Sequence, residues 1–202
     1  MTITIFLAML SFALAMSVSP GPVNMMIVSS GINNGFLRSF AFISGATIGF
    51  TLLLIFVAFG FSAVLLDYPL FLKYLGFIGA LFIIYMGYKI ATSIPNMQIK
   101  DTGEQPRFFE GFLLQWLNPK AWIASISGVS MFSISENSLI VFVLIYFVVC
   151  YSCLCMWGFL GEKARMLLNT EFRLKVFNRS MGTILIISAL TLISINFKGI
   201  KI

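Results

Sequence analysis

No histidine occurs in this chain, and only 7 of its 202 residues are acidic. A metal site built on imidazole is therefore excluded. Charge of either sign is scarce at 10% of residues, against about 25% in a soluble domain. That is too little polar surface to coat a water-soluble globule, so lipid must be the solvent for most of the outside. Cysteine is also sparse. Cys150, Cys153 and Cys155 sit together in one apolar run. Their spacing resembles a metal motif, but no acidic residue lies near, so they read as small filler residues of a membrane helix and imply no disulfide framework. The first apolar run, Ile3 to Met16, has no Lys or Arg before it, and apolar segments continue to the end of the chain. Ala13-Leu14-Ala15 therefore reads as part of a retained first helix and not as a signal cleavage site.

What is present is hydrophobic: 59% of residues, with a mean hydropathy of +1.00. At about 20 residues per crossing, this length allows six helices with short connections. The expected fold is all-α, one polytopic membrane domain over residues 1–202. Six apolar segments are marked off by charge and turn residues. They run roughly over Ile3–Ser30, Ser39–Leu66, Pro69–Thr92, Phe108–Phe132, Ser138–Leu160 and Val176–Phe197. Between them lie Gly31–Gly35, Asp67–Pro69, Ile94–Arg107, Glu136-Asn137 and the charged stretch Gly161–Lys175.

The net charge of +6 does not indicate nucleic acid, because the basic residues lie between apolar runs and form no basic face. They orient the chain instead. With the N-terminus outside, Arg38, Lys89, Lys100, Arg107, Lys163, Arg165, Arg173, Lys175 and Arg179 face the cytoplasm. Only Lys73, Lys198 and Lys201 face out. Six crossings then put both termini on the outer, periplasmic side.

Three segments per half invert the second half relative to the first, which is the arithmetic of an inverted repeat. Repeat one covers about 1–93 and repeat two about 108–202. Prolines mark matching places. The leading segments carry Ser19-Pro20-Gly21-Pro22 and Asn118-Pro119-Lys120, and Ser30-Gly31 and Ser127-Gly128 follow Pro22 and Pro119 at the same distances. Proline inside a helix removes a hydrogen bond and clashes with the preceding turn. In lipid the freed groups need new partners. The first and fourth helices are therefore expected to break, with new pieces starting at Pro22 and Pro119. A half-helix that starts inside the membrane offers N–H groups and a positive dipole end, which suits a carboxylate.

Asn24, Gln115 and Asn118 lie beside these breaks. Their amides can hold both ends of a zwitterion or satisfy the backbone groups that the prolines free. Lys120 is the one basic residue well inside an apolar segment, where a charge costs about 2.5–3.5 kcal/mol on insertion scales. No Asp or Glu occupies a segment centre, so Lys120 is the interior group available to exchange a proton with a substrate carboxylate. Ala41, Gly45 and Gly49 recur at four-residue spacing, as do Gly76 and Ala80. Such stripes allow close helix approach, with the broken first helix as the expected neighbour, and they also suit a homodimer contact.

Ser19-Pro-Gly-Pro22, followed by Gly31, Gly35, Gly45 and Gly49, resembles the N-terminal signature of the LysE/RhtB family of amino-acid exporters. Gly76–Gly87 with Tyr85, and Gly111 through Leu117-Asn-Pro-Lys120, are similar to its later motifs. Gly35-Phe36, Lys89-Ile-Ala-Thr-Ser93, Leu114-Gln115 and Gly128-Val129 are most similar to members that export cysteine and O-acetylserine. Two places depart from the family pattern: Val23 stands where Asn usually follows Pro-Gly-Pro, and Arg38-Ser-Phe40 replaces an Arg-x-Gly. The resemblance implies six helices in the bacterial inner membrane and proton-gradient-driven export of a small neutral amino acid. It implies no enzymatic activity and no cofactor. A metal-ion exporter and an intramembrane thiol–disulfide carrier are the rival readings. The first needs carboxylate, imidazole or thiolate ligands, and the second needs paired cysteines at the broken helices.

Overall fold

Long apolar runs with few β-branched clusters and few interior prolines form helices, and in lipid the helix satisfies every backbone group within its own segment. The computed structural model describes residues 2–61, 69–93, 107–133, 135–168 and 170–198, and among these it is helical throughout, without strands. The expected connections Asp67–Pro69 and Ile94–Arg107 fall largely outside the described residues, as do Lys100 and Lys201. In chain order the helices are α1 (Ile3–Val18), α2 (Pro22–Asn34), α3 (Phe36–Phe56, extended by a wider turn over Val57–Phe61) and α4 (Pro69–Ala91). They continue with α5 (Phe108–Trp116), α6 (Pro119–Phe132), α7 (Glu136–Arg165) and α8 (Glu171–Lys198).

Both proline breaks are present. α1 and α2 meet at a 59° bend across Ser19-Pro20-Gly21. α5 and α6 are separated by Leu117 and Asn118. Phe36–Phe59 and Glu136–Arg165 are each long and apolar enough to cross a membrane, and the bent α1–α2 pair is a third such span if taken as one.

Three connections differ from the sequence expectation; one is Glu136-Asn137, expected as a short turn, which forms the start of α7 behind the N-cap Ser135. Gly31–Gly35 is not a turn: α2 continues to Asn34, and Asn33 Nδ2 bonds back to the Ser29 carbonyl at 2.8 Å. Only Gly35, at φ 83°, breaks the helix, in a region where a residue without Cβ pays no steric penalty. The charged stretch Gly161–Lys175 is also mostly helical, because α7 runs to Arg165 and α8 begins at Glu171. A charged residue at a helix end reaches water by its side chain while its backbone stays in the helix.

The closest packing is backbone against backbone. On α3, a Cβ at Gly45 would collide with the Phe108 carbonyl, and one at Gly49 would lie 2.8 Å from the Phe112 carbonyl. The stripe therefore seats α5, the first piece of the broken fourth helix, and not the broken first helix. Ala41, the first member of that stripe, is exposed. On α4, Gly76 and Ala80 are buried, but the residue in close contact is Gly79, against the Leu117 carbonyl. α4 and α8 run antiparallel with Gly87 and Gly182 face to face, each blocking a Cβ on the other. α2 seats on α7 through Gly31, Gly158 and Gly161.

Candidate functional site

The two breaks face each other, and a small cavity lies between them. Its walls are Gly21, Val23 and Asn24 of the first break, then Gln115, Asn118, Lys120, Ala121 and Ala124 of the second. Met16 and Ser17 of α1, Phe50 of α3, and Tyr146, Cys150 and Leu154 of α7 complete it. Its volume is about 40 Å³. At roughly 10–15 Å³ per water, that holds about three waters and no amino acid.

The last carbonyls of α1 need partners, because Pro20 and Pro22 bring no N–H to the turn. Asn24 supplies them. Its Nδ2 donates to the Ser17 carbonyl at 2.9 Å and to the Ser19 carbonyl at 3.1 Å. Lys120 reaches across from the second break, and its Nζ donates to the same Ser19 carbonyl at 2.6 Å. The ammonium thus rests on the negative end of the α1 dipole, a favourable place for a cation.

The two helix starts differ. At α6, Asn118 is an N-cap: its Oδ1 accepts from the Lys120 N–H at 3.1 Å. Its carbonyl accepts from the N–H groups of Ala121 at 2.9 Å and Trp122 at 3.4 Å. That end is satisfied within the chain. At α2 the N-cap is Gly21, which has no side chain to offer, and the first backbone bond runs from the Met25 N–H to the Gly21 carbonyl at 3.0 Å. The N–H groups of Val23 and Asn24 meet no acceptor among the described residues. Close approach is what Gly21 allows here. A Cβ at this place would lie 3.2 Å from Lys120 Cδ and 3.3 Å from its Nζ. The open N–H groups and the ammonium therefore stand on one wall, a pairing suited to an anion.

Gln115 is buried and lines the cavity, and its amide makes no hydrogen bond among the described residues. Asn24 Oδ1 likewise meets no donor there. Of the residues expected from sequence, Gly21, Asn24, Gln115, Asn118 and Lys120 come together on the cavity. Pro22 and Pro119 shape it from the first helical turns, and Pro20 faces outward. Sequence reasoning missed Ser17, Tyr146 and Cys150. Nothing in an apolar run tells which face of α7 meets α1, and the three cysteines read as filler. Cys150, Cys153 and Cys155 are free thiols, and among the described residues no group of three His, Cys, Asp or Glu stands close enough to hold a metal ion.

The two ends of the molecule differ in chemistry. On one side Phe12, Phe132, Phe142 and Tyr146 cluster, with Phe132 and Phe142 tilted at 4.8 Å and Phe142 and Tyr146 edge to face at 5.6 Å. On the other, where α2, α4 and α7 end and α3 and α8 begin, the contacts are polar. Asn33 and Asn178 exchange two hydrogen bonds of 2.8 Å, and Asn178 also donates to Ser93 Oγ at 2.8 Å. Ser30 and Ser39 share a hydrogen bond of 2.6 Å, and Glu162 Oε2 accepts from the Phe36 N–H at 3.0 Å. Nearby, Lys89 and Glu110 form an ion pair at 2.9 Å.

Residues 14–195 match the family described as LysE type translocator. The chain is 30% identical over 141 residues to the cysteine/O-acetylserine efflux protein of Escherichia coli strain K12, covering 68% of this chain and 70% of that protein. The proteins of the same description from Shigella sonnei strain Ss046 and Escherichia coli O6:H1 match to the same extent. No solved structure matches the chain. With a break at each expected proline and the family pattern extending over nearly its whole length, the chain belongs to the LysE family of translocators.

Proposed function

We propose that this protein exports a small neutral amino acid of the cysteine or O-acetylserine class across the bacterial inner membrane, binding it between the two broken helices. The observation that carries this reading is the uncapped start of α2 with the Lys120 ammonium against Gly21. The substrate carboxylate takes the Val23 and Asn24 N–H groups and Lys120. The substrate ammonium takes the amide oxygens of Gln115 and Asn24. Among the described residues no carboxylate lines the cavity, so a basic side chain would be left unpaired there and a neutral one is favoured. The efflux function of the relatives supports the direction of transport.

In this reading the chain crosses six times, with α1–α2, α3 and α4 as one repeat and α5–α6, α7 and α8 as its inverted copy. Reciprocal packing supports it: α3 seats α5, α7 seats α2, and α4 meets α8 glycine to glycine. Both termini are periplasmic, which makes the Asn33–Asn178–Ser93 cluster the cytoplasmic closure and the Phe12–Phe132–Phe142 cluster the periplasmic one. Export alternates the opening of these two ends around a fixed site. Lys120 couples the cycle to the proton gradient. Lys120 gives a proton to the cytoplasmic side as a substrate arrives, its amine still donating to the carboxylate, and takes a proton from the periplasm as the substrate leaves, the ammonium then resting on the Ser19 carbonyl while the empty site returns.

Uptake of labelled amino acids into inverted membrane vesicles tests the reading. Cysteine, serine and O-acetylserine are expected to accumulate with a proton gradient, and lysine is not. Lys120→Gln is expected to abolish the dependence on that gradient. A variant that matches the wild type at every gradient would remove Lys120 from coupling. Changed metal tolerance or altered periplasmic disulfides without amino-acid resistance would favour the rival readings.

A further inference from the structure

The Ser17 side chain is 7% exposed, lines the cavity, and its hydroxyl has no hydrogen-bond partner. A buried hydroxyl left unpaired is destabilising, so such a group in a native site calls for a partner that arrives later. Its polar neighbours are the Tyr146 hydroxyl and the Cys150 thiol, which stand beside it without the geometry of a bond to its oxygen. All three line the α1–α7 side of the cavity, where Asn24 also bonds the Ser17 carbonyl at 2.9 Å. The rest of that wall is apolar: Met16, Leu154 and the Phe50 ring, which lies 4.5 Å from the Tyr146 ring.

We infer that Ser17, with Tyr146 and Cys150, reads the substrate's side chain and selects a β-carbon that carries an oxygen or a sulfur. This rests on the proposed amino-acid site. With the zwitterion held at Gly21, Val23 and Lys120, the α1–α7 side of the same small cavity is within reach of its side chain. There a single heteroatom meets weak donors that can each also accept, while Phe50, Tyr146 and Leu154 limit its length. A hydrocarbon side chain of equal size leaves the Ser17 hydroxyl unpaired. A site built to bond a heteroatom discriminates by that mechanism.

The test uses the purified full chain in proteoliposomes, with labelled serine, cysteine, alanine and 2-aminobutyrate as substrates. Wild type is expected to prefer serine over alanine and cysteine over 2-aminobutyrate. Ser17→Ala should lower each preference about three- to tenfold, the worth of one hydrogen bond. Tyr146→Phe preserves the ring and should narrow the same ratios. Unchanged ratios in both variants, or an equal loss for all four substrates, would overturn the assignment and leave the amino-acid site standing. If the wild type moves none of the four, the underlying transport reading fails instead.

Discussion

Gly21 and Asn118 occupy equivalent places before Pro22 and Pro119, and they lead to opposite chemistry. Asparagine is among the best N-caps and bonds its own helix start, whereas glycine has no group with which to do so. One break therefore closes on itself and the other stays open beside Lys120. The backbone at Gly21 is extended, at φ −160°, and accepts any residue. Gly21→Asn presents a side-chain oxygen to the Val23 and Asn24 N–H groups, and its Cβ, 3.2 Å from Lys120 Cδ, is accommodated by a small shift of that flexible side chain. It is expected to fold and to compete with the substrate carboxylate, raising KM about fivefold for a competing interaction near 1 kcal/mol. Initial-rate transport at varied substrate concentration checks this, and an unchanged KM would place the carboxylate elsewhere. The residue scale was only partly legible in the sequence. The prolines announced the breaks, and the cost of a buried ammonium announced Lys120. Which helix start stays open depends on a single cap residue whose partner atoms are known only once the turn is built.

At the scale of elements, glycine sets how closely helices approach. Gly45 sits against the backbone of Phe108 and not against a movable side chain. Gly45→Ala therefore forces α3 and α5 apart, and α5 carries Gln115 to the cavity. Overpacking of this kind typically costs about 1–3 kcal/mol. A lowered melting temperature in detergent is expected together with weakened transport, while Ala41→Leu on the exposed side of the same helix should leave stability unchanged. Four-residue spacing revealed that α3 and α4 carry close contacts. It did not reveal the partner, because small residues fit any helix. Gly79 escaped notice because the stripe was read through Gly76 and Ala80. The helix limits near Gly31–Gly35 and Gly161–Lys175 are hidden in the sequence because a polar side chain at a helix end leaves the backbone helical.

Over the whole molecule, an amide cluster lies toward one end and an aromatic cluster toward the other, with the small cavity between the two breaks. Asn178 is fully buried and holds both Asn33 and Ser93. Asn178→Leu removes those bonds from the side read as cytoplasmic. The balance is expected to shift toward the form open on that side. A single cysteine placed at Ser29 should then react faster with a thiol reagent added from the cytoplasmic face, measured in a background where Cys150, Cys153 and Cys155 are replaced. Equal reaction rates would show that the amide cluster is not a closure. No such long-range pair is visible in sequence, where Asn33 and Asn178 are 145 residues apart.

The most direct measurement is competition between a labelled amino acid and unlabelled analogues in proteoliposomes, comparing serine with serinamide, which keeps the ammonium and side chain but lacks the carboxylate. With the carboxylate held by the open start of α2 and by Lys120, serine should displace the label and serinamide should be at least about tenfold weaker, with the difference largely lost in Lys120→Gln. Equal competition by both compounds in the wild type would contradict the account.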